Sequence, residues 1–384
     1  MSRTYLEALE HARTDHTVPH RAAFQARTPV TWKSELPEIS LEHLGAMTDH
    51  TGVLHHAVFT VPSYEDGYCL DDNARALLLM GVVEDAGTED PRAVRSLASR
   101  YLAFIGHAFD AKRGRFRDFM TYSRRWTEEI GSEDSHGRAL WALGSVVGRS
   151  DEPGRPSLGG RLFHAALPAL STFTSPRAWA FALLGIDEYL RAFKGDRHVE
   201  AVRATLAENL FDLFQRTSRR DWPWLEDRLT SCNACLSQAL IVSGARMDHE
   251  ELTAVGLRSL EWLSLVEVPE DGHRPRPAFD QQPVEACAMV SACIESRRVT
   301  GDTQWTERAW RAMSWFLGQN QLQQSLYDAT TGGCSDGLRA DRLSVNQGSE
   351  ATLSFLLALS EMRSAMCAMG TRAHQSVLPW ASST

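Results

Sequence analysis

Two kinds of apolar segment alternate along this chain. In the first kind, Ala, Leu, Met and other small residues fall on nearly every side. Its members are DDNARALLLMGVVED from Asp71, GSEDSHGRALWALGSVV from Gly131 and SPRAWAFALLGIDEYL from Ser175. LEDRLTSCNACLSQALIVSG from Leu225, FDQQPVEACAMVSACIESRR from Phe279 and VNQGSEATLSFLLALSEMR from Val345 complete it. Each opens with a polar loop rich in carboxylates or aromatics. The second kind keeps a 3.6-residue period with Arg and Glu on one face. PRAVRSLASRYLAFIGHAFD from Pro91, HVEAVRATLAENLFDLFQR from His198, HEELTAVGLRSLEWLSLVE from His249 and TQWTERAWRAMSWFLGQN from Thr303 belong to it. GGRLFHAALPALSTF from Gly159 fits too, with Pro168 expected to kink or split it. SLEHLGAMTDHTGVL from Ser40 can be the first of this set.

The alternation predicts an all-α chain of about six polar-mouthed inner helices and six charged-faced outer helices. Starts recur roughly every 45 to 65 residues, room for two helices and two loops. Strand signals are poor, although HHAVFTVP from His55 has the composition to pair locally. Helical pairs build either an open solenoid or a closed α/α toroid. A solenoid keeps a tight period and short turns, whereas here the period varies and the polar chemistry sits in long loops at one end of one helix set. Runs such as ACAMVSACI suit helices buried all round, which the inner ring of a toroid requires. The expected architecture is therefore an (α/α)6 toroid over residues 40–370, with an N-terminal extension (1–39) and a C-terminal tail (371–384). The Gly/Pro/Ser patch at 150–160 is expected to be an inter-helix loop.

Composition narrows the function classes. The chain has 384 residues and a formal charge of −9, without a long Lys/Arg block, which argues against a nucleic-acid surface. No stretch approaches 20 consecutive apolar residues, and MSRTYLEALEHART lacks a signal-peptide pattern, so a cytoplasmic location away from membranes is expected. The seven cysteines are scattered; Cys232 and Cys235 form a CxxC without the second pair or His cluster that zinc needs, and read as reduced, helix-facing thiols. No phosphate-binding Gly-rich loop, GxSxG or HExxH is present, and no cofactor or metal is expected. What remains is carboxylate acid/base chemistry.

The helix mouths supply the candidates. Asp71 and Asp72, with Tyr64, Asn73 and Arg75 nearby, exceed what one N-cap needs. Asp134, His136 and Arg138 stand at the second mouth, where Ser132 can cap and His136 is equally a core histidine. Trp222 and Trp224 flank a proline ahead of Glu226 and Asp227, an arrangement that offers indole faces and carboxylates to a sugar, or a loop packed on the core. Asp280, Gln281, Gln282 and Glu285 cluster around Pro283, which fixes a helix start. Gln347 and Glu350 occupy the last mouth, where Glu350 is a site residue or a cap partner.

YCLDDNARAL, EDSHGRALWALG, WPWLEDRLTSCNACLSQAL, FDQQPVEA and NQGSEATLSFLLAL resemble the six-hairpin glycosidase-like superfamily of (α/α)6 toroids. They are also similar to a bacterial family of glycosyltransferase-associated or glycosidase-like proteins, across residues 48–362. The resemblance implies an oligosaccharide or glycoconjugate substrate. It also implies hydrolysis through two carboxyl groups, one protonating the glycosidic oxygen and one activating water, with inversion the commoner outcome. In that scheme Glu226 or Asp227 is the acid, Asp72 or Glu350 the base, and Asp134 and Asp280 are reserves. Arg75, Arg138, Gln281 and Gln282 would hold hydroxyls. A sugar epimerase resting on His136 or on His55 and His56, a phosphorylase and a non-catalytic sugar-binding toroid are the competing readings.

Overall fold

A computed structural model describes residues 36–87, 89–267 and 281–375. Among these, six long helices follow the six polar loops: α2 (Leu70–Ala86), α4 (Glu133–Arg149), α6 (Pro176–Ala192), α8 (Asn233–Arg246), α10 (Pro283–Thr300) and α12 (Ser349–Gln375). Each packs on the next, and α12 packs back on α2, so the ring closes. Outside it lie α3 (Pro91–Ala108), α5 (Gly154–Ala166), α7 (Arg197–Thr217), α9 (Glu250–Glu267) and α11 (Gln304–Phe316), against α2, α4, α6, α8 and α10 respectively. The fold is the (α/α)6 toroid.

The two helix types bury what their patterns demand. In α2, Leu70, Ala74, Leu77, Leu78 and Met80 are buried without a single preferred face. In α3, Val94, Ala98, Tyr101, Leu102 and Ile105 form one stripe, while Arg92 and Arg95 stay in water. Starts are fixed locally. Ser132 accepts from the Ser135 N–H at 3.0 Å, Asp196 accepts from His198 and Val199, and Pro91, Pro176 and Pro283 open their helices. The tightest pair is α4 on α6. A β-carbon on Gly144 would lie 2.0 Å from the Gly185 carbonyl oxygen, so these backbones touch only because glycine sits there.

Three boundaries differ from expectation. The segment from Ser40 forms only a five-residue helix, α1 (Glu42–Ala46), which packs on α12 where a longer outer helix was expected. The 150–160 patch is half helical, because α5 already begins at Gly154. Helix α12 runs on to Gln375 instead of stopping near Gly370. Pro168 does split its segment: α5 ends at Ala166 and a 3-10 turn covers Leu167–Thr172. Short two-residue strands decorate the mouth end. β1 (Ala57–Val58) pairs with β2 (Val61–Pro62), as the HHAVFTVP composition allowed. β3 (Tyr68–Cys69) and β6 (Phe119–Met120) pair across the chain; β4 (Phe109–Asp110) pairs with β5 (Arg115–Phe116), and β7 (Tyr327–Asp328) with β8 (Gly333–Cys334).

Candidate active site at the inner-helix mouths

The N-terminal ends of the inner helices are tied to one another by side chains. Asp71 on α2 accepts from Arg138 on α4 at 2.5 Å. Asp134 accepts from Ser175, the residue before α6. Arg177 on α6 donates to the Ser231 carbonyl just ahead of α8. Glu285 on α10 takes the backbone N–H groups of Cys232 and Asn233 at 2.5 and 3.2 Å, capping α8 from its neighbour. Glu350 on α12 returns to Arg75 on α2 at 2.7 Å. Residues distant in sequence thus share one mouth. Beneath it an axial cavity of about 300 Å³ runs between the inner helices, from Arg75, Arg138 and Cys232 down to Glu295 and Glu361.

At the start of α2 His55 and Asp72 form a dyad. His55 Nδ1 donates to Asp72 Oδ2 at 2.6 Å, with the carboxylate 2% and the imidazole 23% exposed. Burial disfavours the imidazolium. The hydrogen bond to Asp72 and the charges of Asp72, Glu350 and Asp66 outweigh that, so the His55 pKa is raised. His56 lies on His55 with ring centroids 3.8 Å apart. Beside the dyad Asp71 also holds Arg75 at 2.8 Å, and the two arginines keep its carboxyl below the usual range in spite of burial. Asp336 accepts the Gly348 N–H at 2.6 Å; burial pushes its carboxyl up, and the charges of Glu350 and Asp72 add to that. The rim carries exposed aromatics: Tyr64 stacks on Tyr122 at 4.1 Å, and Phe119 meets the edge of the His55 ring.

Four residues singled out in the sequence therefore meet in one network, Asp71, Arg75, Arg138 and Glu350, and a fifth, Asp72, is bound by His55. Others are occupied differently. Asn73 is fully buried and clamps the backbone of Val53 and Cys69. His136 bonds the Ala166 carbonyl between Phe116 and Phe173, and burial takes its pKa down to about 3. Trp224 is fully buried; it and the half-buried Trp222 pack on Trp262 of α9 rather than offering free faces. Glu226 gives both oxygens to Arg177, at 2.9 and 2.6 Å. Asp227 is 84% exposed, 3.9 Å from Arg219. Gln281 accepts from the Trp315 indole, and Gln282 is exposed ahead of α10. Gln347 bridges Thr331 and Asp328. Asp280 lies outside the described residues.

Asp336, Arg177 and Tyr122 escaped the sequence reading, because their partners lie far away along the chain. His55 was visible there, with His56, as an acid/base candidate for a sugar epimerase, but without its Asp72 partner. His55, Cys69 and Asp72 bring a nitrogen, a sulfur and an oxygen within 4.8 Å of one another. A metal there would need the Cys69 thiolate. Burial and the nearby charges of Asp72, Asp118 and Asp71 push that thiol well above its ordinary value. The donors are already spent on one another and on Asp118.

No protein-family model matches the chain, and no curated protein does. Solved structures do. A cellobiose 2-epimerase from Spirochaeta thermophila superposes with a TM-score of 0.67 at 13% identity, over 89% of this chain and 97% of that one. A D-mannose isomerase matches at 0.61 and 11%, over 94% and 98%. A family 76 α-mannanase from Bacteroides thetaiotaomicron matches at 0.57 and 13%, over 90% and 98%. The chain shares the (α/α)6 toroid fold of these structures, which are an epimerase, an isomerase and a mannanase.

Proposed function

We propose that this protein is a carbohydrate-active enzyme whose acid/base group is His55, and that it moves a proton on its sugar as an epimerase or isomerase does. One observation carries the reading: the His55–Asp72 hydrogen bond at the mouth. It fixes Nδ1 as a donor and leaves Nε2 to exchange a proton, and it moves the pKa of an imidazole that already titrates near neutrality. Nε2 takes the proton from the carbon beside the sugar carbonyl, and the bonding electrons form an enediolate. Return of the proton to the opposite face gives the epimer; return to the neighbouring carbon, with the O2 hydroxyl proton passing to O1, gives the ketose. The His55 and His56 rings lie 3.8 Å apart, too close to admit a sugar between them, and in this reading Glu350, whose charge acts on His55, is the second group in the proton traffic. Tyr64, Tyr122 and Phe119 supply aromatic faces for the pyranose.

A second reading, glycoside hydrolysis, has its own support. Asp336 is biased toward the protonated form a general acid needs, and Glu350 stands near it as a base held by Arg75. This pair replaces Glu226, which is bound at both oxygens, as the better acid/base set. Purified protein incubated with aldoses, cellobiose and manno-oligosaccharides, with and without phosphate, separates the readings by NMR of the products. Epimer or ketose that disappears in His55→Asn supports proton transfer. New reducing ends that persist in His55→Asn and vanish in Asp336→Asn would replace it with hydrolysis.

A further inference from the structure

The CxxC at the start of α8 has no part in that chemistry, yet its surroundings are specific. Cys232 sits at the N-cap with φ 49° and ψ 39°, a left-handed conformation that a non-glycine residue keeps only when its neighbours hold it there. Here the Glu285 carboxylate holds it through the N–H groups of Cys232 and Asn233. Arg138 donates Nη2 to Cys232 Sγ at 3.2 Å. That guanidinium is itself fixed by Asp71 and by the face of Phe181, 3.8 Å away. Arg75 and Arg177 add positive charge, and the Glu285 carboxylate and the Cys287 thiol are the opposing neighbours. Both cysteines line the axial cavity, and so does Gln238 three residues further along α8, 5% exposed and with an unpartnered Oε1.

We infer that Cys232 and Cys235 are an oxidisable dithiol, in which Cys232 is the attacking thiolate, Cys235 the resolving thiol, and a small hydroperoxide the reactant that enters the cavity. The hydrogen bond from Cys235, and after it the charges of Arg138 and Arg75, hold the Cys232 thiol below its ordinary value against burial. The same hydrogen bond and burial push Cys235 up, so it keeps its proton. The thiolate attacks one peroxide oxygen; the S–O bond forms as O–O breaks, and the leaving alkoxide departs as the alcohol with a proton. Cys235 then attacks the sulfenic sulfur, the S–O bond breaks, and hydroxide leaves with the thiol proton as water. Two electrons and two hydrogens pass from the dithiol to the peroxide. Oxidation removes the sulfur anion that accepts from Arg138, which ties the redox state to the Asp71–Arg75–Glu350 network.

The test is independent of any sugar activity. The full chain is treated with stoichiometric hydrogen peroxide, alkylated under denaturing conditions and digested with trypsin; peptide 229–246 carries both cysteines. The expected result is an unalkylated peptide lighter by two hydrogens, formed before the exposed Cys367 is oxidised. In Cys235→Ser the sulfenic acid is trapped at Cys232 by dimedone, and in Cys232→Ser position 235 stays a thiol. A peptide 229–246 fully alkylated after peroxide, with Cys367 oxidised first, overturns the inference. So does dimedone labelling absent from a folded Cys235→Ser protein.

Discussion

Asp71→Asn tests whether the mouth is a buried ionic network or a solvated cluster. Asp71 reaches Arg75 at 2.8 Å and Arg138 at 2.5 Å, and the two arginine side chains are 5% and 7% exposed. Removing one partner of a buried ion pair leaves uncompensated charge and costs roughly 3–5 kcal/mol. Arg75 keeps Glu350, and Arg138 keeps Cys232 and the Phe181 face, so the expected loss is at the low end, about 3 kcal/mol. In a chain of this size that lowers the thermal midpoint by roughly 5 °C or more, read by far-UV circular dichroism. The pH dependence gives a second check. The Asp71 pKa is depressed in the folded state, so its contribution is complete above the unfolded value of 3.8 and is lost as pH falls through the folded value. The gap between wild type and variant must therefore narrow below that pH. A loss under about 1 kcal/mol, the range of exposed pairs, would refute the reasoning, as would a gap that does not narrow on acidification.

Asp72→Asn removes the His55 partner, so the His55 pKa, followed by nitrogen-15 NMR of the imidazole, should fall from its raised position; no change would separate the two residues. Gly144→Ala puts a β-carbon against the Gly185 carbonyl and should cost about 3 kcal/mol or prevent folding; a neutral effect would mean that α4 and α6 slide apart easily. His136 is buried neutral with a pKa of about 3 against 6.5 unfolded, so its stability contribution is lost as pH falls below 6.5. At about 1.36 kcal/mol per unit, it costs about 2 kcal/mol at pH 5. His136→Gln, which keeps a donor for the Ala166 carbonyl, should shift acid unfolding to lower pH.

The architecture was legible because burial on all sides and burial on one side leave different patterns. Runs such as ACAMVSACI marked inner helices, and the Val94–Ala98–Tyr101–Ile105 stripe marked an outer one. The site was half legible. Asp71, Asp72 and Arg75 lie within one turn of each other, and their excess over capping needs could be read locally. Trp222 and Trp224 could not be resolved, because W-P-W looks the same whether it faces a sugar or Trp262 on the next outer helix. Nor could His55: its meaning comes from Asp72, brought to it by the Asn73 clamp on Val53, and from Glu350, brought by ring closure. Asp336 owes its raised pKa to burial between the same elements, and no local pattern encodes that.

The most direct test of the central claim is deuterium entry at the sugar C1 or C2 position, measured by proton NMR in heavy water with wild type and His55→Asn side by side. The account predicts wash-in by wild type and a fall of roughly 10²–10⁴-fold in the variant, the range for loss of a general acid/base. Sugar turnover by wild type without deuterium at C1 or C2, or wash-in undiminished in His55→Asn, would contradict it.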